Sequence, residues 1–228
     1  MKYFVIDTET NGLKCGFHEL TEISILDCQT LEQITWMIRI RNPERSNKVA
    51  MQITNKTPNE LASWGRYIES VLDEINNFLI GNVDEVDEIC MIAHSASFDR
   101  RFMEHSFQTN NKTFVAQYWL DTVPFAKKFA KQYLGLKKTS VALERILVTA
   151  DIKNVELGAH SSEVDVRNTF RLWKYMVARG MSNTEFIKMS PTLLQTKPTV
   201  AKGAAPTIED AMWENPINYE EDDDDDDD

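Results

Sequence analysis

Apolar and polar positions alternate with period two along residues 2–8, 20–27 and 33–41, and this pattern predicts three strands in an antiparallel meander with the third at the edge. The pattern then lengthens to a helical period. Thr57-Pro-Asn-Glu60 is a capping box with proline at the first helical position, and Leu61, Trp64, Ile68, Val71, Leu72, Ile75 and Leu79 mark one apolar face of a long helix behind it. An acidic loop follows over 81–88, then a short, wholly apolar run at 89–93 reads as a buried strand. Ser97 or a neighbour is expected to cap the next helix. Residues 114–120 read as a fifth strand, after which Asp121 caps a helix through Phe129. Helical spacing returns over 139–147 and again over 162–178, the latter with Val166, Phe170, Trp173 and Val177 inward. Strands first and then alternation with helices implies an α/β protein built on a mixed five-stranded sheet flanked by helices.

After about Gly180 the composition turns to Pro, Thr, Ala and Lys with little periodicity, so the folded domain is expected over 1–180 and a flexible linker and tail over 181–228. Trp213 and Tyr219 stand in that polar stretch like a docking peptide. The tail also explains the charge. The formal −11 contains the unbroken acidic run 220–228, and without those nine residues 27 acidic groups face 25 basic ones. A nearly neutral body lacks the basic surface that grips long nucleic acid through many phosphates, so any such contact is expected to be short and local. Lys127, Lys128, Lys131, Lys137 and Lys138 read first as a solvated helical face. No apolar stretch reaches the roughly 20 residues of a membrane span, and the chain opens on strand-like sequence, not on a leader. The expected compartment is the cytoplasm, the host's if the source is viral. Cys15, Cys28 and Cys90 lack disulfide or zinc spacing and read as reduced thiols.

Chemistry enters where the first strand ends. Asp7 and Glu9 alternate along it and so share a face, placing two like charges beside an apolar core. Asp99 and the His160/Asp165 pair could supply what such a site lacks. Carboxylates suit hard cations, and two divalent ions can acidify a water and stabilise a leaving oxygen. Two Mg²⁺ ions are the expected cofactors, with Mn²⁺ as substitute, held by Asp7, Glu9, Asp99 and Asp165. His160, titrating near neutrality, is cast as general base. His18, His94 and His105 are read as structural.

The segments "FVIDTETNGL", "IAHSASFDRRFM" and "GAHSSEVD" resemble the three exonuclease motifs of the DEDD superfamily, histidine branch, which includes proofreading subunits, oligoribonuclease and RNase T. The resemblance spans residues 2–179. It implies a ribonuclease H-like fold, Asp7, Glu9, Asp99 and Asp165 as catalytic metal ligands, and His160 as the base. It further implies that Leu13 wedges against the terminal base, Thr10 meets the 3′ end through its backbone, and Phe98 packs on the penultimate nucleoside. Ser95 stands where many members carry Asn, a shorter group at a substrate contact. The stretch "MQITNKTP" lacks the His-Gly-Ile often seen there. Glu22 matches a frequent acidic position and is assigned no chemistry.

The expected function is a metal-dependent 3′-to-5′ exonuclease releasing 5′-mononucleotides from single-stranded DNA or frayed 3′ ends, with proofreading as one setting. Short RNA is the alternative substrate, and a noncatalytic adaptor for a 3′ end or a partner is the alternative class. The tail is expected to reach a replication or repair protein, or to mimic nucleic acid through its acidic run.

Overall fold

The computed structural model describes residues 1–81, 88–136, 140–157 and 161–190. Three strands form the predicted meander: β1 (Lys2–Thr10), β2 (Leu20–Asp27) and β3 (Gln33–Met37), with β3 at the sheet's edge. Helices α1 (Lys48–Ile53), α2 (Pro58–Ser63) and α3 (Leu72–Gly81) follow. Then come β4 (Ile89–Ala93), α4 (Ala96–Thr109), β5 (Tyr118–Asp121), α5 (Thr122–Tyr133), α6 (Leu143–Thr149), α7 (Ser162–Ala178) and β6 (Ile187–Met189). The sheet order is β3-β2-β1-β4-β5-β6, with β1-β4 and β4-β5 parallel and the remaining pairs antiparallel.

Helices cover both faces, so β2 and β4 are buried along their whole length. One core joins Phe4, Ile6 and Ile23 to Leu72, Ile75, Phe102 and Phe107 from α3 and α4. The opposite core joins Val5, Ile92 and Leu120 to Phe125, Phe129, Ile146, Val166 and Leu172 from α5, α6 and α7. β1 therefore runs through the middle of the molecule, with Val5 on one face and Phe4 and Ile6 on the other.

Several elements differ from the sequence expectation for identifiable reasons. The capping box at Thr57 forms, with both reciprocal hydrogen bonds present. The single long helix predicted behind it does not. Gly65 sits at φ +74° with its Cα against the Met37 carbonyl, where any Cβ would overlap backbone. Arg66 N donates to Met37 O and Arg39 N to Arg66 O, so this segment pairs with the chain beyond β3; a single 3-10 turn follows at Ile68–Ser70, and α-helix resumes only at Leu72. Trp64, expected on the apolar face, is consequently half-exposed. The sheet has six strands where five were expected. Residues 181–190 extend past the boundary placed at 180: Met181 is buried, Ile187–Met189 pairs with β5, and Ser190 N donates to Gln117 O. The fifth strand starts at Tyr118, later than expected, and α5 runs on to Tyr133, capped by the Asp121 side chain at Val123 N. On α7 the buried positions include Val166, Thr169, Leu172 and Met176, whereas Val177 is exposed. Ser97 lies inside α4, and the residue at its N-cap position is Ser95, in a left-handed conformation without a side-chain cap. Lys137, Lys138 and the tail with its acidic run lie outside the described residues.

Candidate active site

β1 ends in a bulge between Glu9 and Thr10, which lets the strand turn out of the sheet immediately after its second carboxylate. The turn is held by a fully buried Asn11. Its main chain exchanges a hydrogen bond from Asn11 N to Glu19 O, its Oδ1 accepts from Glu19 N at 2.7 Å, and its carbonyl accepts from Asn47 N. Asn47 in turn caps α1. One buried asparagine thus joins this turn, the start of β2 and, through its carbonyl, α1.

Three elements converge on the end of β1. Because β4 runs parallel beside it, α4 begins level with Asp7, and Asp99 in its first turn accepts a 2.8 Å hydrogen bond from Thr8 Oγ1. From the other face α7 packs on β1 and β2 and presents Asp165 in its first turn. Carboxylate oxygens of Asp7, Glu9 and Asp165 lie within 4.8 Å of one another. Asp99 is buried beside them through Thr8.

Glu22 is the residue whose role was missed. It is the cross-strand partner of Glu9 and only 5% exposed. Its Oε1 accepts from both Ser162 N (3.0 Å) and Ser162 Oγ (2.7 Å), and its Oε2 pairs with Lys56 Nζ at 2.6 Å. Ser162 Oγ also meets Ser24 Oγ at 2.8 Å. A carboxylate bound to the N-terminus of α7 is favoured by the unpaired amides and dipole there, and it fixes the turn that carries Asp165. The available signal was spacing: Glu22 and Ser24 alternate along β2, directly opposite Glu9 and Asp7.

This crowding shows in the titration of the cluster. Burial, then the charges of Asp99, Glu9, Asp165 and Glu22, raise Asp7 well above the carboxylate range. Burial and the nearby Glu22 and Asp165 push Glu9 up to about 8, with Lys56 offsetting part of the effect. Burial lifts Asp99 to about 7 against the stabilising hydrogen bond from Thr8. Such a site holds protons at neutral pH when no cation compensates it. Its donors are hard oxygens in a compact, partly desolvated group, which fits a divalent ion of the magnesium class.

The remaining sequence-selected residues fall around the cluster. Thr10 is buried, with its Oγ1 donating to Gly12 O. Leu13 is 73% exposed on the turn beyond it. Phe98 is half-buried with its ring 5.0 Å from that of Phe102. Ser95 is exposed, and its N–H donates to Asp121. His160 lies outside the described residues, immediately before Ser161, whose side chain accepts from Val164 N at the head of α7. His94 is built into the structure: Nδ1 meets Thr122 Oγ1 and Nε2 meets the Val141 carbonyl, each within 2.8 Å.

Residues 4–173 match the RNase_T family, described as exonuclease. A DNA polymerase III of PolC type from Streptococcus agalactiae is 30% identical over 151 residues, which cover 62% of this chain and 10% of that protein; the chain spans about a tenth of the curated relatives it matches. The nuclease domain of 3′hExo, a DEDDh family member bound to rAMP, superposes with a TM-score of 0.61 at 15% identity, covering 78% of this chain and 92% of that one. The E. coli ExoI–ssDNA complex in its zinc-bound form gives 0.62 at 18% identity, covering 78% and 41%.

Two outcomes follow from the cluster. Asp7 and Glu9 keep protons in the folded chain well above their ordinary pKa values of 3.8 and 4.5, so the stability this lends the metal-free fold is fully present below the ordinary carboxylate range and is lost as pH rises from there through about 8, where Glu9 titrates. Mg²⁺ or Mn²⁺ should therefore raise the melting temperature more at pH 8 than at pH 6, and Asp7→Asn should raise the metal-free value while removing the metal increment; a scan of both proteins across pH reads this. Glu22→Ala leaves Lys56 and the α7 amides without their partner and should cost about 1–3 kcal/mol in urea unfolding.

Proposed function

This chain belongs to the RNase_T exonuclease family and carries its 3′-to-5′ exonuclease domain; from that premise we propose that it shortens single-stranded DNA or frayed 3′ ends, releasing 5′-mononucleotides. The observation that carries this reading is the meeting of Asp7, Glu9 and Asp165 within 4.8 Å, with Asp99 buried beside them. These four residues would hold the divalent ions. When bound, such ions acidify a water and offset charge on the leaving oxygen.

The chain's own groups do the rest. His160 takes the proton of the attacking water as the new oxygen–phosphorus bond forms. The bond from phosphorus to the 3′-oxygen breaks in line, and that oxygen leaves as the 3′-hydroxyl of the shortened strand after taking a proton from solvent. Leu13, exposed on the turn, stands against the terminal base, Thr10 presents its backbone to the 3′ end, and Phe98 supports the penultimate nucleoside. Ser95 contacts the substrate only through a short hydroxyl.

Similarity to a polymerase of PolC type supports DNA and a replication setting. The RNA reading keeps a foothold because this fold also occurs in a nuclease domain bound to rAMP. A noncatalytic adaptor would have no need of the four carboxylates. For the tail, we infer that Trp213, Tyr219 and the run 220–228 serve a replication or repair partner, or occupy a basic surface in place of nucleic acid.

The decisive experiment offers 5′-labelled single-stranded DNA and matching RNA to the protein, with Mg²⁺ or chelator. A metal-dependent ladder shortening from the 3′ end, abolished in Asp7→Ala and reduced about 10²–10⁴-fold in His160→Ala, is expected, with DNA preferred. At saturating metal the rate should climb with pH through the imidazole titration near 6.5. Intact oligonucleotides throughout would favour the adaptor. A chain ending at Tyr219, assayed in parallel, should lose partner binding or gain activity on weak substrates.

A further inference from the structure

A second cationic feature lies on the α4 side of the active-site turn. Here the turn after β1, the chain beyond β3, the segment before α3 and the C-terminal half of α4 enclose a cavity of about 240 Å³, open to solvent. Phe17 and Tyr67 form two of its walls, each more than 40% exposed. Both rings carry cations. Arg45 lies 5.2 Å and Lys14 5.6 Å from the centre of Phe17, and Arg41 lies 4.7 Å and Arg39 5.5 Å from that of Tyr67.

The acids nearby leave part of that charge uncompensated. Glu69 pairs with Arg41, and Glu44 reaches Arg45 only at 3.9 Å. The Glu19 carboxylate is engaged by Arg41 N, Asn42 N and the Asn42 amide. Four cations against the three carboxylates of Glu19, Glu44 and Glu69 leave an excess of one positive charge, a local departure in a body that is otherwise slightly acidic and one that suits an anionic strand. Exposed rings bracketed by Arg and Lys are the pattern by which single strands are held, bases on the aromatic faces and phosphates on the cations.

Position ties the cavity to the chemistry. The turn leads from Glu9 to Phe17 in eight residues. α4 starts next to Asp99 and reaches the cavity wall at His105, about 9 Å further along its axis at 1.5 Å per residue. Phe102 lines the cavity and touches Phe98, the side chain placed against the penultimate nucleoside.

We propose that this cavity is the upstream subsite for single-stranded DNA, where nucleotides preceding the scissile end stack on Phe17 and Tyr67 while Arg41, Arg45 and Lys14 take their phosphates. The proposal rests on the exonuclease reading and specifies how that site holds a long strand. It also explains how a neutral body grips its substrate: a few contacts, close to the reaction, in place of a long basic track.

The test uses the full chain with Mg²⁺ and compares a dinucleotide, which reaches only the scissile site, with oligo(dT) of about 20 nucleotides. In Phe17→Ala/Tyr67→Ala, KM for the long strand should rise at least about tenfold, since stacking is worth roughly 1–3 kcal/mol per base, while dinucleotide cleavage stays unchanged. Phe17→Tyr/Tyr67→Phe should restore wild-type KM. Arg45→Ala should flatten the salt dependence of long-strand binding by close to one phosphate contact. A long-strand KM within twofold of wild type, or equal losses on both substrates, would overturn the subsite. Should wild type cleave neither substrate, the exonuclease reading fails on its own, and fluorescence anisotropy of labelled oligo(dT) still decides the cavity: unchanged affinity in the double alanine variant overturns it, and at least about tenfold weaker binding upholds it.

Discussion

Five carboxylates are held around the end of one buried strand, and most of the architecture serves to keep them there. Placing these carboxylates together opposes the ionisation of Asp7, Glu9 and Asp99, which burial and their neighbours displace upward. Charges of one sign in a partly desolvated site repel each other more strongly than they would in water. The surrounding fold must therefore be rigid enough to resist that repulsion until cations arrive.

Rigidity comes from the way each contributor is anchored. Asp7 and Glu9 sit on the central strand, paired on both sides and packed between two cores. Asp99 cannot drift because Thr8, between Asp7 and Glu9, donates to it. Asp165 depends on α7, whose first residue is gripped by Glu22. Glu22 is thus an acid that adds to the repulsion and also secures the helix that completes the site. Lys56 makes this tenable by neutralising it, and the chain places Lys56 just beyond α1, the helix that Asn47 caps and Asn11 tethers.

The legible parts of the molecule were those encoded by local periodicity or by motif. β2, β4 and α7 were readable to the residue because alternation, an unbroken apolar run and a 3.6-residue period respectively met clear ends, and the capping box at Thr57 announced α2. The long helix failed because its apolar period continued through Gly65, while the reason to break there, the carbonyl of Met37, is distant in sequence. α1, with six residues, was too short for a helical period to register. β6 has three residues and takes its identity wholly from pairing with β5. Among candidate site residues, Asp7, Glu9, Asp99 and Asp165 were visible through their motifs, whereas Glu22 matched a frequent acidic position but carried no sign of what it binds. Its function lies in Ser162, 140 residues away.

The same turn that follows Glu9 links the carboxylate cluster to the cavity beneath it, and it is braced at both ends. The His18 ring accepts from Lys14 N at 2.8 Å and lies so close to Gly12 that a Cβ there would overlap it. Asn11 fixes one end of the turn and Glu19 the other, the latter by binding the chain from which Arg41 and Arg45 project. Leu13, Lys14 and Phe17 consequently belong to one braced unit. Loops of this length are usually mobile where their backbone groups face water; here the backbone hydrogen bonds at both ends are satisfied internally. A brace of that kind holds Leu13 and Phe17 at a fixed separation, which is what the proposed subsite would require for a strand to reach the carboxylates in register.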